Sequence, residues 1–174
     1  MNKKTKTLAL VAGAKADREF ALFANLVGAC TSLKKELGRI DKIEMPMVVS
    51  QYRAMILRHT FLLERGRFFE AQPLPKGFKR KKAKECYGYS FTLALSKNGL
   101  TYCEGIVVTK IGKDQTTEID HGWCVTEDNK VIDVTLEKPG LTYFGAVFTK
   151  EEMIDVDVLP LIYNIIGKQL EEQM

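Results

Sequence analysis

Three residues, Cys86, His121 and Asp133, follow one another along the chain and together supply the parts of a cysteine nucleophile. A thiolate attacks carbonyl carbon, an imidazole takes and returns a proton, and a carboxylate can hold the imidazole in one orientation. His121 is one of only two histidines. The other, His59, falls on the apolar face of a helical pattern, where a packed helix residue is expected. The first three residues are therefore the candidate catalytic set, with a thioester as the product of the first step.

Cys86 differs from the other cysteines in its predicted position. A short helical pattern ends at Gly99 and places Cys86 in its first turn. There the free backbone N–H groups and the positive end of the helix dipole stabilise a thiolate, and Lys82 and Lys84 add positive charge. The remaining cysteines lie in apolar helix or strand patterns and are expected in the core: Cys30, Cys103 and Cys124.

The spacing of His121 and Asp133 makes a geometric prediction. They are twelve residues apart, so they stand directly opposite on paired antiparallel strands only if an odd-length loop is centred on Glu127. A three- or five-residue hairpin satisfies this condition, and the two side chains then share one face. A two-residue turn at Asp128-Asn129 would put them on opposite faces and exclude the triad.

Hydrophobic periodicity indicates the elements that would position these residues. Apolar residues at steps of three and four predict one helix from Ala16 to Gly38 and another that begins after Ser50, as its cap, and closes at Gly66. Near the end, Thr149 and Glu152 form a capping box before a last helix over residues 160–170.

Four segments after Gly99 change to a period near two and are rich in β-branched residues, which predicts antiparallel strands over residues 101–108, 118–126, 131–135 and 143–148. Helices, a meander of strands and a final helix favour an α+β fold in which helices pack on an antiparallel sheet of about four strands. With 174 residues, one domain is expected: a helical part at 1–66, a core at 68–148 and a helical segment at 149–174.

Charge and cysteine usage limit the class of protein. The net charge is +4, yet six cations lie between Lys76 and Lys84, so the rest of the chain is slightly acidic. Four widely spaced cysteines in a chain of this size favour reduced thiols and a cytoplasmic location, although the first sixteen residues imitate a secretory signal. No apolar stretch approaches the length of a membrane span, so no membrane partner is expected.

Several short motifs together resemble the transglutaminase-like superfamily of papain-like cysteine proteins, in which cysteine, histidine and aspartate occur in this order. The motifs cover roughly residues 68–148: Tyr102-Cys-Glu-Gly105, His121-Gly-Trp123, Val131-Ile-Asp-Val-Thr135 and Tyr143-Phe-Gly145, with Cys86 at a helix start. The resemblance implies a transglutaminase/papain-like core with Cys86 as nucleophile, His121 as base and then acid, and Asp133 as the residue that fixes the imidazole. No metal or organic cofactor is implied.

The resemblance also leaves specific positions open. Papain-like proteins commonly place an oxyanion-binding glutamine shortly before the cysteine; Gln72 is the nearest candidate here, and the backbone N–H of Cys86 or Tyr87 is the alternative. Trp123 is expected to shield the imidazole, to line a substrate groove or to pack in the core. Glu104 is expected to bind substrate or to face solvent.

The enzyme hypothesis implies a protein or small amide or acyl substrate, with hydrolysis and transfer both open because Tyr87-Gly88 replaces the tryptophan that follows the cysteine in animal transglutaminases. A binding module that uses Lys76 to Lys84 to hold nucleic acid or an acidic protein surface is the alternative from another class. An inactive transglutaminase-like scaffold is the third.

Overall fold

A computed structural model describes the backbone of residues 3–40, 46–112, 115–154 and 159–171. The described chain is an α+β fold, as predicted, with five helices and a curled five-stranded antiparallel sheet. The helices are α1 (Lys3–Ile40), α2 (Pro46–Arg65), α3 (Cys86–Ser96), α4 (Lys150–Ile154) and α5 (Leu161–Glu171). The strands are β1 (Arg67–Phe69), β2 (Leu100–Lys110), β3 (Thr116–Thr126), β4 (Val131–Ile132) and β5 (Thr142–Phe148).

The order of the strands corrects the prediction of a four-stranded meander. The sheet runs β1-β5-β2-β3-β4, so β5 crosses over to pair with β2 on the side opposite β3. Strand β1 was not predicted, because its three residues are too short to display a period of two. It pairs with β5 and forms one edge of the sheet.

The chain segment that directly follows β1 bonds to the residues next to β4, at the opposite edge of the sheet. This link between the two edges explains the curl. Glu70 donates its backbone N–H to the Asn129 carbonyl at 3.0 Å and accepts from the Val131 N–H at 2.9 Å. The side chain of Gln72 adds a bond of 3.0 Å to the Val131 carbonyl. These bonds tie the chain after β1 to the start of β4.

The hairpin between β3 and β4 has the predicted odd length but a different centre. Its loop is residues 127–129, centred on Asp128, and Asn129 has a φ of 67°. A three-residue hairpin needs a left-handed residue at its third loop position, and asparagine accepts that conformation more readily than most residues. The shift of one position means that His121 and Asp133 share a face without standing directly opposite.

Two apolar clusters lie on the two faces of the sheet. The larger lies between the sheet and the helices and includes Leu62, Tyr102, Cys124 and Leu161. The smaller fills the inside of the curl with Phe69, Cys103, Val107, Trp123, Val125, Val131 and Tyr143. By strand alternation, His121 belongs to the same face as Cys103 and Trp123.

Helix ends were predicted less well than helix positions. Helix α1 begins at Lys3, well before Ala16, and α2 begins at Pro46, so that Ser50 lies within the helix and does not cap it. Proline suits the first helical position because its missing N–H would have no partner there. The capping box before α4 is confirmed, with Thr149 N–H to Glu152 at 2.8 Å and Glu152 N–H to Thr149 Oγ1 at 3.2 Å. Among the described residues, none of the helices combines the length and the apolar character that a membrane span requires.

Candidate active site

Cys86 is the first residue of α3, as predicted, and lies against the edge of β3. Strand β4 pairs only with the last part of β3, at Cys124 and Val125. The first turns of α3 cover the neighbouring edge, where Ser90 Oγ donates to the Gly122 carbonyl at 3.0 Å. The backbone N–H of Gly122 points to the Cys86 sulfur. The nucleophile is therefore fixed to the strand that carries the candidate base.

Gly122 allows this close approach because it has no side chain. A Cβ atom at this position would lie 2.9 Å from the Tyr87 ring and 3.1 Å from the Tyr87 Cα. Both distances are shorter than normal carbon contacts, and a Cα atom cannot rotate away. Any larger residue at position 122 would push the first turn of α3 away from His121.

The three predicted residues lie next to one another. The Cys86 sulfur lies beside the His121 ring, whose hydrogen bonding and charge lower the pKa of the thiol. The His121 Nε2–H donates to Asp133 Oδ2 at 2.9 Å, which leaves Nδ1 as the ring nitrogen for the sulfur. All three residues are buried, with relative exposures of 8%, 4% and 5%. The predicted contact between His121 and Asp133 is confirmed.

Asp133 is held by more donors than His121 alone. Its Oδ1 accepts the backbone N–H groups of Thr135 at 2.9 Å and Leu136 at 3.1 Å, and the Thr135 hydroxyl at 3.1 Å. Its Oδ2 accepts the Tyr143 hydroxyl at 2.9 Å, beside His121. A carboxylate with this many donors stays ionised and cannot rotate freely.

The protonation states follow from these contacts. Burial raises the pKa of the Cys86 thiol, but the hydrogen bond and charge of His121 and the N–H groups of Gly122 and Tyr87 outweigh it, so that the pKa falls below its ordinary value. Burial lowers the pKa of His121, yet its bonds to Asp133 and Cys86 raise it to about 9. Burial of Asp133 is likewise outweighed by His121, which brings the pKa of this carboxyl to about 2. Both shifts act in the same sense, towards a thiolate on Cys86 next to an imidazolium on His121.

The other cysteines lack this environment. All four are buried free thiols. Burial raises the pKa of Cys124 to about 12 and that of Cys103 well above its ordinary value. The Cys124 thiol donates to the Ser90 carbonyl at 3.1 Å, and Cys30 lies 3.8 Å from the Thr60 hydroxyl. Their predicted core positions are confirmed.

Two of the secondary site predictions are corrected by the structure. The amide of Gln72 is used to hold the closure of the sheet at Val131, which gives it a structural role in place of the predicted oxyanion role. Glu104 is 1% exposed and accepts the N–H groups of Leu161 at 2.6 Å and Ile162 at 3.0 Å, and the Tyr102 hydroxyl at 2.7 Å. It neither faces solvent nor offers a free oxygen to substrate, because it caps the start of α5.

Trp123 and Tyr87 each lie beside a member of the triad. Trp123 is fully buried in the smaller cluster, and its ring stacks on His121 with centroids 6.4 Å apart and an angle of 18°. It packs in the core and shields the imidazole, and the prediction that it lines a substrate groove is wrong. The backbone N–H of Tyr87 faces the Cys86 sulfur, beside that of Gly122.

Tyr143 is the main site residue that sequence reasoning did not assign. Its hydroxyl accepts the Gly140 N–H at 2.9 Å and donates to Asp133 at 2.9 Å. Since the N–H of Gly140 can only donate, the phenol proton must point at Asp133. The one sequence signal was the tyrosine in the motif Tyr143-Phe-Gly145, to which no role was attached.

Comparison with protein-family models, with curated proteins and with solved structures finds no match to this chain.

Proposed function

We propose that this protein is a cysteine enzyme of the transglutaminase-like type, which hydrolyses or transfers acyl groups through a thioester on Cys86. The observation that carries the proposal is that the imidazole of His121 lies beside the Cys86 sulfur and bonds on its other side to the Asp133 carboxylate. A cysteine that only fills a core needs no imidazole, and an imidazole that only fills a core needs no carboxylate with several further donors. The arrangement is therefore explained by chemistry better than by packing.

The residues divide the reaction into two steps. In the first, the Cys86 thiolate attacks the carbonyl carbon of an amide or ester and a C–S bond forms. The bond to the leaving nitrogen or oxygen breaks, and the His121 imidazolium gives its proton to that atom. In the second, water or an amine attacks the thioester while neutral His121 takes its proton. The C–S bond then breaks, and the thiolate and imidazolium are restored.

Two backbone N–H groups are suited to the negative charge that develops on the carbonyl oxygen. Those of Tyr87 and Gly122 both face the sulfur, so an acyl group bound there places its oxygen near them. Fixed donors at such a position typically contribute about 10²- to 10³-fold in rate. They take the oxyanion-binding role for which the sequence offers Gln72 as a candidate.

The proposal is tested with p-nitrophenyl acetate, an activated ester that needs little substrate recognition. The wild-type protein should release a rapid burst of nitrophenol, and mass spectrometry of quenched samples should find one acetyl group on the peptide that contains Cys86. Cys86→Ala and His121→Ala should lose the burst, whereas Cys30→Ser, which alters a buried thiol remote from the imidazole, should retain it. Acetylation at other residues only, or a burst unchanged in Cys86→Ala, would refute the proposal.

A further inference from the structure

The basic segment, residues 76–84, belongs to a longer stretch of strongly positive charge. Between residues 71 and 103 the chain has seven cations and a single acid, Glu85. Six of the cations lie in the basic segment and the seventh, Lys97, lies at the end of α3; all seven are exposed. Because the whole chain carries only +4, the rest of it is slightly acidic. The positive potential is therefore concentrated on one part of the molecule.

The fold brings the two ends of this stretch together around aromatic rings. Lys81 Nζ lies 5.4 Å from the centre of the Tyr89 ring on α3. Lys97 Nζ lies 4.2 Å from the centre of the Phe78 ring, which belongs to the basic segment. Each of these contacts joins the basic segment to α3 or to its end. Cations and half-buried rings thus lie side by side, and we call this region the basic surface.

The backbone of the basic segment is held in place by the body of the protein. The Lys81 N–H donates to the Val134 carbonyl at 2.7 Å, and the Arg80 side chain donates to the Asp133 carbonyl at 3.4 Å. Residues that are already ordered lose less conformational entropy when a partner binds. The basic segment is therefore a better binding surface than a flexible lysine tail of the same charge.

A groove on the exposed side of α3 lies within the basic surface. Its volume of about 440 Å³ falls within the range of sites for small organic groups. A Cβ atom built on Gly88 would meet nothing within 4 Å, so the groove is open above this glycine. Two of the lining residues carry phenol rings, which stack on flat bases. The lining is Lys84, Glu85, Tyr87, Gly88, Tyr89 and Thr92.

The single acid of the basic surface is engaged by its neighbours. Lys82 Nζ lies 3.8 Å from the Glu85 carboxylate. Hydrogen bonding to Glu85 and its charge raise the pKa of Tyr89, so the carboxylate lies beside that hydroxyl as well. One acid with these two neighbours leaves the other cations in excess around the groove.

We propose that the basic surface binds single-stranded nucleic acid, with phosphates at the exposed lysines and a base in the groove above Gly88. This inference goes beyond the proposed chemistry of Cys86 and does not depend on it, since neither Cys86 nor His121 lines the groove. A run of lysines alone is usually a solvated loop. The structure adds aromatic rings beside the cations, the combination by which proteins hold single strands. A duplex keeps its bases stacked and paired, and an acidic protein has no bases, so neither would use the groove.

The test measures binding of fluorescein-labelled oligonucleotides by fluorescence anisotropy between about 50 mM and about 200 mM salt. Oligothymidylate and oligouridylate of about twelve nucleotides are compared with a duplex of the same length. The lysine variant removes three exposed cations of the basic segment, and its control removes three exposed cations elsewhere. The proteins are the wild type, Lys79→Gln/Lys81→Gln/Lys82→Gln, the control Lys34→Gln/Lys35→Gln/Lys150→Gln, and Gly88→Leu.

The lysine variant and Gly88→Leu should fail in different ways. Each phosphate contact contributes about 0.7 to the slope of log affinity against log salt, so the lysine variant should lose about 2 from that slope, and the control should lose nothing. Gly88→Leu fills the groove without removing charge. It should keep the salt slope and the duplex affinity and bind single strands about five- to a hundredfold more weakly. Leucine favours a helix more than glycine does and meets no atom here, so the fold should be retained.

Several results would overturn the inference. These are weak binding by the wild type at low salt, equal affinities in the wild type and the lysine variant, and an unchanged single-strand affinity in Gly88→Leu. A duplex that binds as tightly as the single strands, or displacement of the oligonucleotide by poly-glutamate at equal charge, would show a surface for any polyanion. Cys86→Ala should bind as the wild type does, which separates this result from the proposed catalysis. The tighter of the two single strands identifies RNA or DNA as the partner.

Discussion

Asp133 determines which nitrogen of His121 carries the proton. Its Oδ1 is occupied by two backbone N–H groups and a hydroxyl, so only Oδ2 faces the imidazole. An asparagine here would keep its oxygen on the backbone donors and turn its NH₂ group towards His121. The imidazole would then accept at Nε2 and carry its proton on Nδ1, on the side of the sulfur.

Asp133→Asn should therefore retain the fold and lose at least about 10²- to 10³-fold in the rate of acyl transfer. The loss arises because an Nδ1–H cannot take the thiol proton. Acetylation of Cys86 and thermal denaturation are measured on the same preparation. If stability falls as far as activity does, Asp133 is a structural carboxylate and its proposed role is wrong.

Tyr143 is a positioning residue that acts on His121 through Asp133. Its hydroxyl shares Oδ2 with the imidazole and weakens this oxygen as an acceptor. Tyr143→Phe should free that oxygen for His121, so the imidazolium is stabilised and its pKa rises. The alkaline limb of the pH–rate profile should then move to higher pH.

Tyr102→Phe is the matched control, since Tyr102 is equally buried and its hydroxyl also donates to a carboxylate, that of Glu104. It should lower stability without moving the limb. Identical profiles for Tyr143→Phe and Tyr102→Phe would reduce Tyr143 to a packing role.

The pH dependence of the wild type follows from His121. Its pKa of about 9 means that the imidazolium is present below that pH and is lost above it. The leaving group needs this proton in the first step, so the rate of amide or ester cleavage should fall as pH rises through about 9. The acid limb should lie below the ordinary thiol range, because the pKa of Cys86 is lowered. A rate that continues to rise well above pH 9 would exclude His121 as the acid.

Single residues could be predicted where chemistry limits the choice. Cys86, His121 and Asp133 stand out by their residue types and their order along the chain. The even separation between His121 and Asp133 also allows their side chains to share one face of the sheet. Tyr143 and Gly122 do not, because a phenol that orients a carboxylate and a glycine that admits a helix have no signature in one sequence. Glu104 was misassigned for a related reason: its partners, the first N–H groups of α5, lie more than fifty residues away.

At the scale of the elements, the Glu104 carboxylate on β2 attaches α5 to the sheet. Glu104→Gln would turn an NH₂ group towards the N–H of Leu161 or Ile162, leaving a buried donor without an acceptor. The free energy of unfolding should fall by about 1–3 kcal/mol. Urea denaturation measures it, and Glu151→Gln, an exposed glutamate on α4, should change it by less than about 0.5 kcal/mol.

The alkylation rate of Cys86 should stay the same in Glu104→Gln, since the carboxylate supports α5 and not the triad. An unchanged unfolding energy would show that Glu104 does not cap the helix. A large loss of Cys86 reactivity in a protein that remains folded would instead restore its predicted role at the substrate.

Elements with strong local patterns were predicted, and those that depend on distant partners were not. The long strands and α3 follow from periodicity and from Gly99, which has a φ of 76°. Strand β4 is shorter than the predicted strand over residues 131–135, and β1 lies next to a long-range bridge between Glu70 and Lys130. A local sequence pattern does not indicate such a bridge. The crossover of β5 is equally non-local, since several antiparallel orders satisfy the same sequence pattern.

For the molecule as a whole, the sheet separates two environments. The inside of the curl holds Trp123 and Tyr143, which shield and orient His121 and Asp133. The helix side brings Cys86 to the edge of β3, where it meets His121. The basic segment connects these two parts, because Arg80 donates to the Asp133 carbonyl and the chain then leads into α3 at Cys86.

Site-resolved alkylation of the four cysteines tests the central claim most directly. The wild-type protein is treated briefly with iodoacetamide at pH 7 and mapped by peptide mass spectrometry. Cys86 should react at least about tenfold faster than Cys30, Cys103 or Cys124, because it is the cysteine whose pKa is lowered by a neighbouring buried imidazole. His121→Ala should remove most of that advantage. Labelling spread evenly over the four thiols, or led by a cysteine other than Cys86, would contradict the account.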